Sequence, residues 1–244
     1  YAVTLDGEVD EITSTGGEIL GVALDGSGRV YACDAGNSAV MRIVIETGEI
    51  TVLSEGTPAD PMTLPNALAF DAAGNLSVTD SGEYLENDGV VYRITPNGDA
   101  TVWTRRAPHY PNGCCVSADG SLLYVAESYL PGVVAISIDA DGAAGERRLI
   151  AELPATVPDG VALDAAGSIY VTCYRPDRIC LVSEQGDVSV EADDPHAAVL
   201  SAPTNIAFCG PDLTRMVVAN VGEWHLNYLD VDVPGQALHY PVLP

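Results

Sequence analysis

Four polar side chains stand at one recurring place in the chain, directly before a short apolar strand. They are Asn66, Asn112, Asp159 and Asn205, and Leu20 holds the corresponding place in the first copy of the pattern. If these places converge on one axis, their amide and carboxylate oxygens would suit a hard divalent cation, most readily Ca²⁺, with Mg²⁺ or Mn²⁺ as alternatives. Zn²⁺ is a less typical choice, because it normally takes His or Cys.

A purely structural interpretation competes with the cation site. Asn and Asp before a strand often cap a turn by hydrogen bonding to nearby backbone. Four such residues at one register favour a site over four unrelated turns. A single carboxylate is a weak charge for a divalent cation, so we expect a further acidic ligand.

A repeat of about 46 residues sets the positions of these side chains. Its copies begin at Gly21, Ala67, Gly113, Gly160 and Ile206, with spacings of 46, 46, 47 and 46 residues. Each copy consists of an apolar strand, a turn rich in Asp and Gly, and a second strand, and two further strands follow it. Four antiparallel strands in each repeat are typical of a β-propeller blade. The first strand of each blade would line a central channel and bring the polar residues into a ring.

The count of strands predicts an all-β, six-bladed β-propeller that forms a single domain over residues 1–244. The fifth blade would end with the strands "LNYLDVD" and "ALHYPV". The N-terminal "YAVTLDG" and "EVDEIT" supply only two strands of a sixth blade, which we expect to be truncated. We expect residues before Tyr1 to supply the missing strands, and the N-terminal strands to pair with the last blade, since an open edge is a liability. The alternative is a five-bladed ring with a loose extra hairpin.

The charge of the chain limits its partners. The net charge is −25 and there is no lysine, so the surface should repel nucleic acid and anionic lipid. Such acidity suits a salt-rich cytoplasm. The alternative is GC-rich codon usage, which would also replace Lys with Arg. No apolar run is long enough to span a membrane, and no signal peptide is visible. We expect a cytoplasmic protein whose partner is a small-molecule substrate; the oligomeric state is open.

The six cysteines lack zinc-type spacing, and most fall within apolar strand patterns. We therefore expect free thiols that pack as small core residues. Cys173 and Cys180 could face each other across a hairpin, which makes them the one pair expected to be able to form a disulfide.

Three stretches carry a resemblance to a known family: "PNGCCVSADGSLLYVAES", "VPDGVALDAAGSIYVTCY" and "APTNIAFCGPDL". They resemble the gluconolactonase, senescence marker protein (regucalcin) and luciferin-regenerating enzyme family, and strictosidine synthase-like proteins are close relatives. The resemblance implies a six-bladed propeller with one catalytic divalent metal, held by a first-blade Glu, Asn112 and Asp159. It also implies that Asn66 lies beside the metal or substrate and that Asp159 is a candidate general base.

The sequence departs from the family pattern at two places. The first-blade Glu would lie before Tyr1, and Glu18, two residues before the ring position, is the available substitute. Leu64 replaces an Arg that sugar-lactone enzymes carry, which indicates a less polar ligand. His109, three residues before Asn112, is either a second base or substrate contact, or a surface histidine. We assign Asn205 a substrate-binding role.

Two other carboxylates, Glu83 and Glu127, follow second strands. They lie either near the channel mouth or in turns that are exposed to solvent. Together these features predict a metal-dependent hydrolase that opens a lactone at a divalent cation. Two alternatives remain open at this point: a non-catalytic propeller that binds a small molecule or a protein, and a strictosidine synthase-like protein without a metal.

Overall fold

The computed structural model describes residues 1–243, whose strands form antiparallel sheets arranged as propeller blades. Pro244, the last residue of the predicted domain, lies outside the described residues. The all-β propeller predicted from the repeat is confirmed, but the sheets make five blades rather than six. Four of these blades have four strands and the fifth has three.

The strands follow the repeat in chain order. Blade 1 contains β3 (Ile19–Leu24), β4 (Arg29–Asp34), β5 (Ala39–Val44) and β6 (Ile50–Ser54), with a 3₁₀ turn at Ala35–Asn37. Blade 2 contains β7 (Pro65–Phe70), β8 (Leu76–Asp80), β9 (Val90–Ile94) and β10 (Ala100–Thr104). Blade 3 contains β11 (Pro111–Val116), β12 (Leu122–Glu127), β13 (Gly132–Ile138) and β14 (Ala144–Glu152). Blade 4 contains β15 (Val157–Leu163), β16 (Ile169–Arg175), β17 (Arg178–Val182) and β18 (Val188–Asp193), and blade 5 contains β19 (Pro203–Cys209), β20 (Arg215–Asn220) and β21 (His225–Asp230).

The core lies between the faces of neighbouring blades. The first strands pack against one another in succession, from β3 through β7, β11 and β15 to β19. Between blades 1 and 2 the ring of Tyr31 meets Phe70 edge-on, with 5.0 Å between ring centroids. Tyr170 and Phe208 make the same contact at 5.6 Å between blades 4 and 5. Elsewhere Val, Ile, Leu, Ala and Cys fill these interfaces, because branched and small side chains pack well on pleated surfaces.

The N-terminal strands form a hairpin of their own. β1 (Ala2–Val3) pairs only with β2 (Val9–Asp10) among residues 1–243, so the prediction that they pair with the last blade is wrong. The N-terminal segment does hydrogen bond to the last strand, where the Tyr228 hydroxyl donates to the Thr4 carbonyl at 3.4 Å. A short local turn costs less loop entropy than pairing with a distant strand.

The predicted fourth strand of blade 5 is also wrong. Residues 231–243 instead cross the end of the propeller where first and second strands of each blade are joined. The Gln236 backbone N–H donates to Leu163 in blade 4, and Gly26 in blade 1 donates to the Pro241 carbonyl. Pro234 and Pro241 have no N–H to contribute to a ladder, which disfavours a strand here. The tail therefore links blade 4 to blade 1 beneath the channel.

None of the helical structure described for residues 1–243 could cross a bilayer, and the cytoplasmic location stays a prediction. All six cysteines are free thiols in the structure. The Sγ atoms of Cys173 and Cys180 lie 3.9 Å apart.

Candidate functional site in the central channel

Each first strand has a β-bulge at, or in blade 5 next to, the position that was predicted to form the ring. The strand pairing shifts register between Ile19 and Val22, between Pro65 and Ala67, and at matching points of β11, β15 and β19. A bulge leaves the extra residue unpaired and re-aims its side chain. The bulged residues in blades 1 to 4 are Leu20, Asn66, Asn112 and Asp159, as the sequence predicted.

Blade 5 departs from the predicted ring. Pro203 pairs with Asn220 and Asn205 pairs with Ala219, so the bulged residue is Thr204. The contacts between blades agree, since the Thr79 hydroxyl donates to the Asn112 carbonyl and the equivalent Thr172 hydroxyl donates to the Thr204 carbonyl. The ring position of blade 5 is therefore occupied by Thr204, and the prediction that Asn205, the next residue, occupies it is wrong. Its substrate-binding role stays a prediction.

Two glycines allow the bulges of neighbouring blades to approach closely. A Cβ atom on Gly113 would lie 2.5 Å from the Asp159 carbonyl oxygen, and one on Gly160 would lie 2.7 Å from the Thr204 carbonyl oxygen. No side chain fits at either place. The missing Cβ atoms thus allow the strands that carry Asn112, Asp159 and Thr204 to pack tightly around the channel.

Asp159 is the one charged member of this ring. Its side chain makes no hydrogen bond or ion pair to any residue in the described part of the chain, and it keeps part of its surface open to solvent. Burial among the channel walls disfavours the charged form and raises the pKa of Asp159 to about 8. An unpartnered carboxylate in such a place is destabilised when it ionises, and a bound cation would relieve that cost.

Asn66 and Asn112 are held from behind by hydroxyl groups. Nδ2 of Asn66 donates to Oγ of Ser81 at 3.0 Å, and Nδ2 of Asn112 donates to Oγ of Ser128 at 3.4 Å. Neither Oδ1 atom accepts a hydrogen bond from residues 1–243, and neither is sealed from solvent. Both amide oxygens are therefore free to bind a ligand.

A layer of buried carboxylates fixes the loops at the channel mouth. Asp34 Oδ1 accepts the N–H of Glu18, and Asp80 accepts the N–H groups of Thr63 and Leu64. Each carboxylate ends a second strand and is almost fully buried. Burial is the largest influence on the pKa of Asp80 and raises it, while the backbone N–H bonds act in the opposite direction.

Glu127 belongs to the same layer in blade 3. It is fully buried, accepts the N–H of His109 at 2.9 Å and forms an ion pair with Arg147 at 2.5 Å. The interpretation of Glu127 as a solvated turn residue is therefore wrong, whereas Glu83 is exposed. The sequence signal for this layer is the acidic residue that ends each of the strands β4, β8 and β12.

The remaining predicted site residues lie on loops around the mouth. Glu18 is exposed, and His109 Nδ1 lies 3.0 Å from Oδ1 of Asn87 on the neighbouring loop. The pKa of Tyr110 is raised, first by burial and then by nearby groups that include Tyr129, Asp159 and Glu18. Glu18 and Asp159 thus both act on Tyr110, but the structure does not bring Glu18 into contact with the ring.

An open cleft of about 540 Å³ lies beside the mouth, between blades 1 and 2. Leu64, Met62 and Tyr84 form its apolar part, and Glu83 lies at its edge. A second cleft of about 350 Å³ lies between β18 and β21, away from the ring. Leu64, which lines the first of these clefts, lies two residues before the ring residue Asn66.

The carboxylate and amide oxygens of the ring are the kind of ligand that a hard cation prefers, although only one of them carries a negative charge. Asp159 has an uncompensated carboxylate, and the two ring amides have free oxygens. No group of three or more His, Cys, Asp or Glu side chains suited to a metal occurs within residues 1–243. A cation here would thus be held by Asp159 and Asn112, with its other positions taken by water or substrate and with Asn66 facing the substrate.

Comparison with known proteins identifies the family. The model of the SMP-30/Gluconolactonase/LRE-like region matches residues 1–221. This chain belongs to that family. The resemblance stated from the P-N-G and P-D-G stretches is thereby confirmed.

Two curated relatives match this family member over about two thirds of its length. The gluconolactonase of Zymomonas mobilis is 25% identical over 188 residues, which cover 66% of this chain and 52% of the relative. Protein STRICTOSIDINE SYNTHASE-LIKE 3 of Arabidopsis thaliana is 25% identical over 174 residues, covering 65% of this chain and 44% of the relative. The chain thus spans about half the length of these relatives.

Solved structures support the fold of this family member. A structure of a candidate gluconolactonase superposes with a TM-score of 0.80 at 20% identity, covering 95% of this chain and 80% of that one. A calcium-binding protein, regucalcin, from Agrobacterium tumefaciens superposes with a TM-score of 0.72 at 18% identity, covering 91% and 78%. At these identities the likeness is one of fold alone.

Proposed function

We propose that this protein is a metal-dependent lactonase that opens a cyclic ester at the mouth of the central channel. The observation that carries the proposal is Asp159, an unpartnered carboxylate on the first strand of blade 4, next to the strand that carries the free amide oxygen of Asn112. Membership of a family that includes gluconolactonases supports the reaction class. The calcium-binding regucalcin of the same fold supports Ca²⁺ as the cation.

Some residues of the proposed site would bind the cation or the substrate, and one would transfer the proton during hydrolysis. Asn112 and Asp159 would hold the cation and Asn66 would face the substrate. A bound divalent cation supplies Lewis-acid polarisation of the lactone carbonyl and offsets the charge of the oxyanion. As water attacks the carbonyl carbon, Asp159 would accept its proton and return it to the ring oxygen when the C–O bond breaks. His109 would contact the substrate from the loop that precedes Asn112.

Leu64 supports a substrate less polar than a sugar lactone, although Ser38, Thr63 and Glu83 also line the cleft beside the mouth. Leu64, Met62 and Tyr84 offer apolar surface where an Arg would hydrogen bond to hydroxyl groups. Apolar walls select ligands by shape and by burial of carbon surface. We infer that alkyl-substituted lactones are preferred over polyhydroxylated ones.

A combined metal and substrate experiment tests the proposal. Purified protein would be stripped of metal, reloaded with Ca²⁺, Mg²⁺, Mn²⁺ or Zn²⁺, and assayed on alkyl and sugar lactones. We expect hydrolysis that requires a divalent cation and that Asp159→Asn abolishes, while the exposed Asp99→Asn variant retains it. Activity that survives both chelation and Asp159→Asn would contradict the proposal.

A non-catalytic propeller that binds a small molecule is the second candidate. The observation in its favour is that no group of three or more His, Cys, Asp or Glu side chains suited to a metal occurs within residues 1–243. This hypothesis predicts ligand binding in the mouth cleft with no turnover at any metal concentration.

We also propose that the complete ring has six blades. Val22 and Leu24 on β3 are 54% and 43% exposed, whereas the equivalent Leu68 and Phe70 on β7 are 6% and 5% exposed. The apolar face of blade 1 thus lacks the neighbour that covers every later blade, and two strands would cover it. In a complete ring, a cysteine placed by Val22→Cys should react slowly with a thiol reagent. Labelling as fast as that of an exposed cysteine would contradict six blades.

A further inference from the structure

Two buried serines connect the channel amides to the next blade. The Ser81 hydroxyl donates to the Pro111 carbonyl at 2.8 Å, and it accepts from Asn66. The Ser128 hydroxyl donates to the Pro158 carbonyl at 2.7 Å, and it accepts from Asn112. The same chain of amide, hydroxyl and carbonyl thus runs from blade 2 to blade 3 and from blade 3 to blade 4.

Hydrogen-bond chemistry fixes the direction of each chain. A carbonyl oxygen can only accept, so the single proton of each serine must point toward the next blade. The serine oxygen is then limited to accepting, and only the Nδ2 end of the asparagine amide can face it. Donors and acceptors alone therefore set the orientation of both amides.

A serine occurs at this place only where the ring residue is an asparagine. Ser81 and Ser128 follow the buried residue that ends the second strand. The equivalent residues of the other blades are Ala35, Tyr174 and Val221, behind Leu20, Asp159 and Thr204. Leu20 has no amide to orient, and a carboxylate such as Asp159 presents an oxygen either way. A flipped asparagine would instead turn its N–H₂ group toward the ligand.

We propose that Ser81 and Ser128 are positioning residues that hold the amides of Asn66 and Asn112 with their Oδ1 atoms available to the channel ligand. The inference rests on the proposed function for the identity of that ligand, a divalent cation with its lactone. It does not rest on it for the orientation of the amides. Neither serine touches the ligand; each acts through the asparagine in front of it.

The first test needs neither metal nor substrate. In metal-free, ¹⁵N-labelled protein, the side-chain N–H₂ signals of Asn66 and Asn112 are assigned by their loss in Asn66→Ala and Asn112→Ala. Ser81→Ala should speed exchange of the Asn66 amide protons about fivefold, as loss of one hydrogen bond predicts, and leave Asn112 unchanged. Ser128→Ala should speed exchange of the Asn112 amide protons by a similar factor and leave Asn66 unchanged. Unchanged exchange at the facing asparagine in either variant would overturn the proposal.

The second test uses Ca²⁺ titration by calorimetry, with Ser54→Ala as the matched control. Ser54 is also a buried serine, but it bonds to the N–H of Gly56 and lies away from the ring. Ser128→Ala should weaken Ca²⁺ binding about fivefold, and Ser54→Ala should not change it. Equal weakening in both variants would indicate a general packing effect and contradict positioning. If the wild type binds no Ca²⁺, Ca²⁺ is not the cation of the proposed function, and the amide exchange alone decides the role of the serines.

Discussion

Replacing Asp159 with Asn should change how the stability of the metal-free protein depends on pH. The pKa of Asp159 is raised from 3.8 to about 8 by burial. Between these values the unfolded chain loses the proton of Asp159 while the folded chain keeps it. Stability linked to this group is therefore at its full value below pH 4 and is lost as the pH rises toward 8. The asparagine side chain of the variant does not titrate, so this loss should disappear.

The size of the effect follows from the width of that pH window. One pH unit corresponds to about 1.4 kcal/mol of differential protonation. Between pH 5 and pH 7 the wild type should lose about 1 to 3 kcal/mol of unfolding free energy relative to Asp159→Asn, the lower figure allowing for the side chain's contact with solvent. The free energy of unfolding would be measured by urea denaturation in the presence of a chelator.

A matched control separates this group from the general acidity of the chain. Asp99→Asn removes an exposed carboxylate and the same charge. We expect Asp99→Asn to follow the wild-type pH dependence, because its carboxylate is already solvated. If wild type and Asp159→Asn lose stability in parallel from pH 5 to pH 7, the account of Asp159 as an unpartnered channel carboxylate is refuted.

Three further predictions follow from charge, thiols and the mouth loops. Molar KCl should raise the thermal midpoint, because screening relieves the repulsion of a chain with net charge −25; a flat or falling midpoint would count against this. Thiol titration in denaturant without reductant should find six reactive groups, and a count of four would reveal a Cys173–Cys180 disulfide. The thiols of the native protein should react slowly, because burial raises the pKa of Cys114 to about 12. Glu127→Ala should lower the unfolding free energy by about 3 to 5 kcal/mol, since it leaves Arg147 unpaired; a loss below about 1 kcal/mol by urea titration would refute a structural role.

The repeat determined most of what could be predicted about the fold. Its period fixes the blades, because each copy must bury its apolar face against the next. The arrangement of the two chain ends was predicted wrongly. The alternating pattern of a short segment such as "ALHYPV" does not show that the C-terminal tail crosses the end of the propeller instead of forming a strand. Pairing between distant ends depends on geometry that a period alone does not contain.

The site was predicted in part for a similar reason. Asn66, Asn112 and Asp159 follow a proline in the sequence and occupy the bulge in the structure. Thr204 also follows a proline, but the neighbouring Asn205 is the better chemical match to the other blades, and only the strand register separates them. Ser81 was not predicted because a sequence does not show which hydroxyl lies behind which amide.

Calcium titration of wild type and Asp159→Asn by calorimetry tests the central claim most directly. Coulomb attraction of a divalent ion to a carboxylate in a partly desolvated channel is large, so Asp159→Asn should weaken binding at least about a hundredfold, or about 2.7 kcal/mol. Because Ca²⁺ must displace the proton of Asp159, wild-type affinity should also rise with pH up to about 8, and that of the variant should not. Asn112→Ala, which removes a neutral ligand, should weaken binding less. Equal affinity in wild type and Asp159→Asn would show that Asp159 binds no cation and would contradict the account.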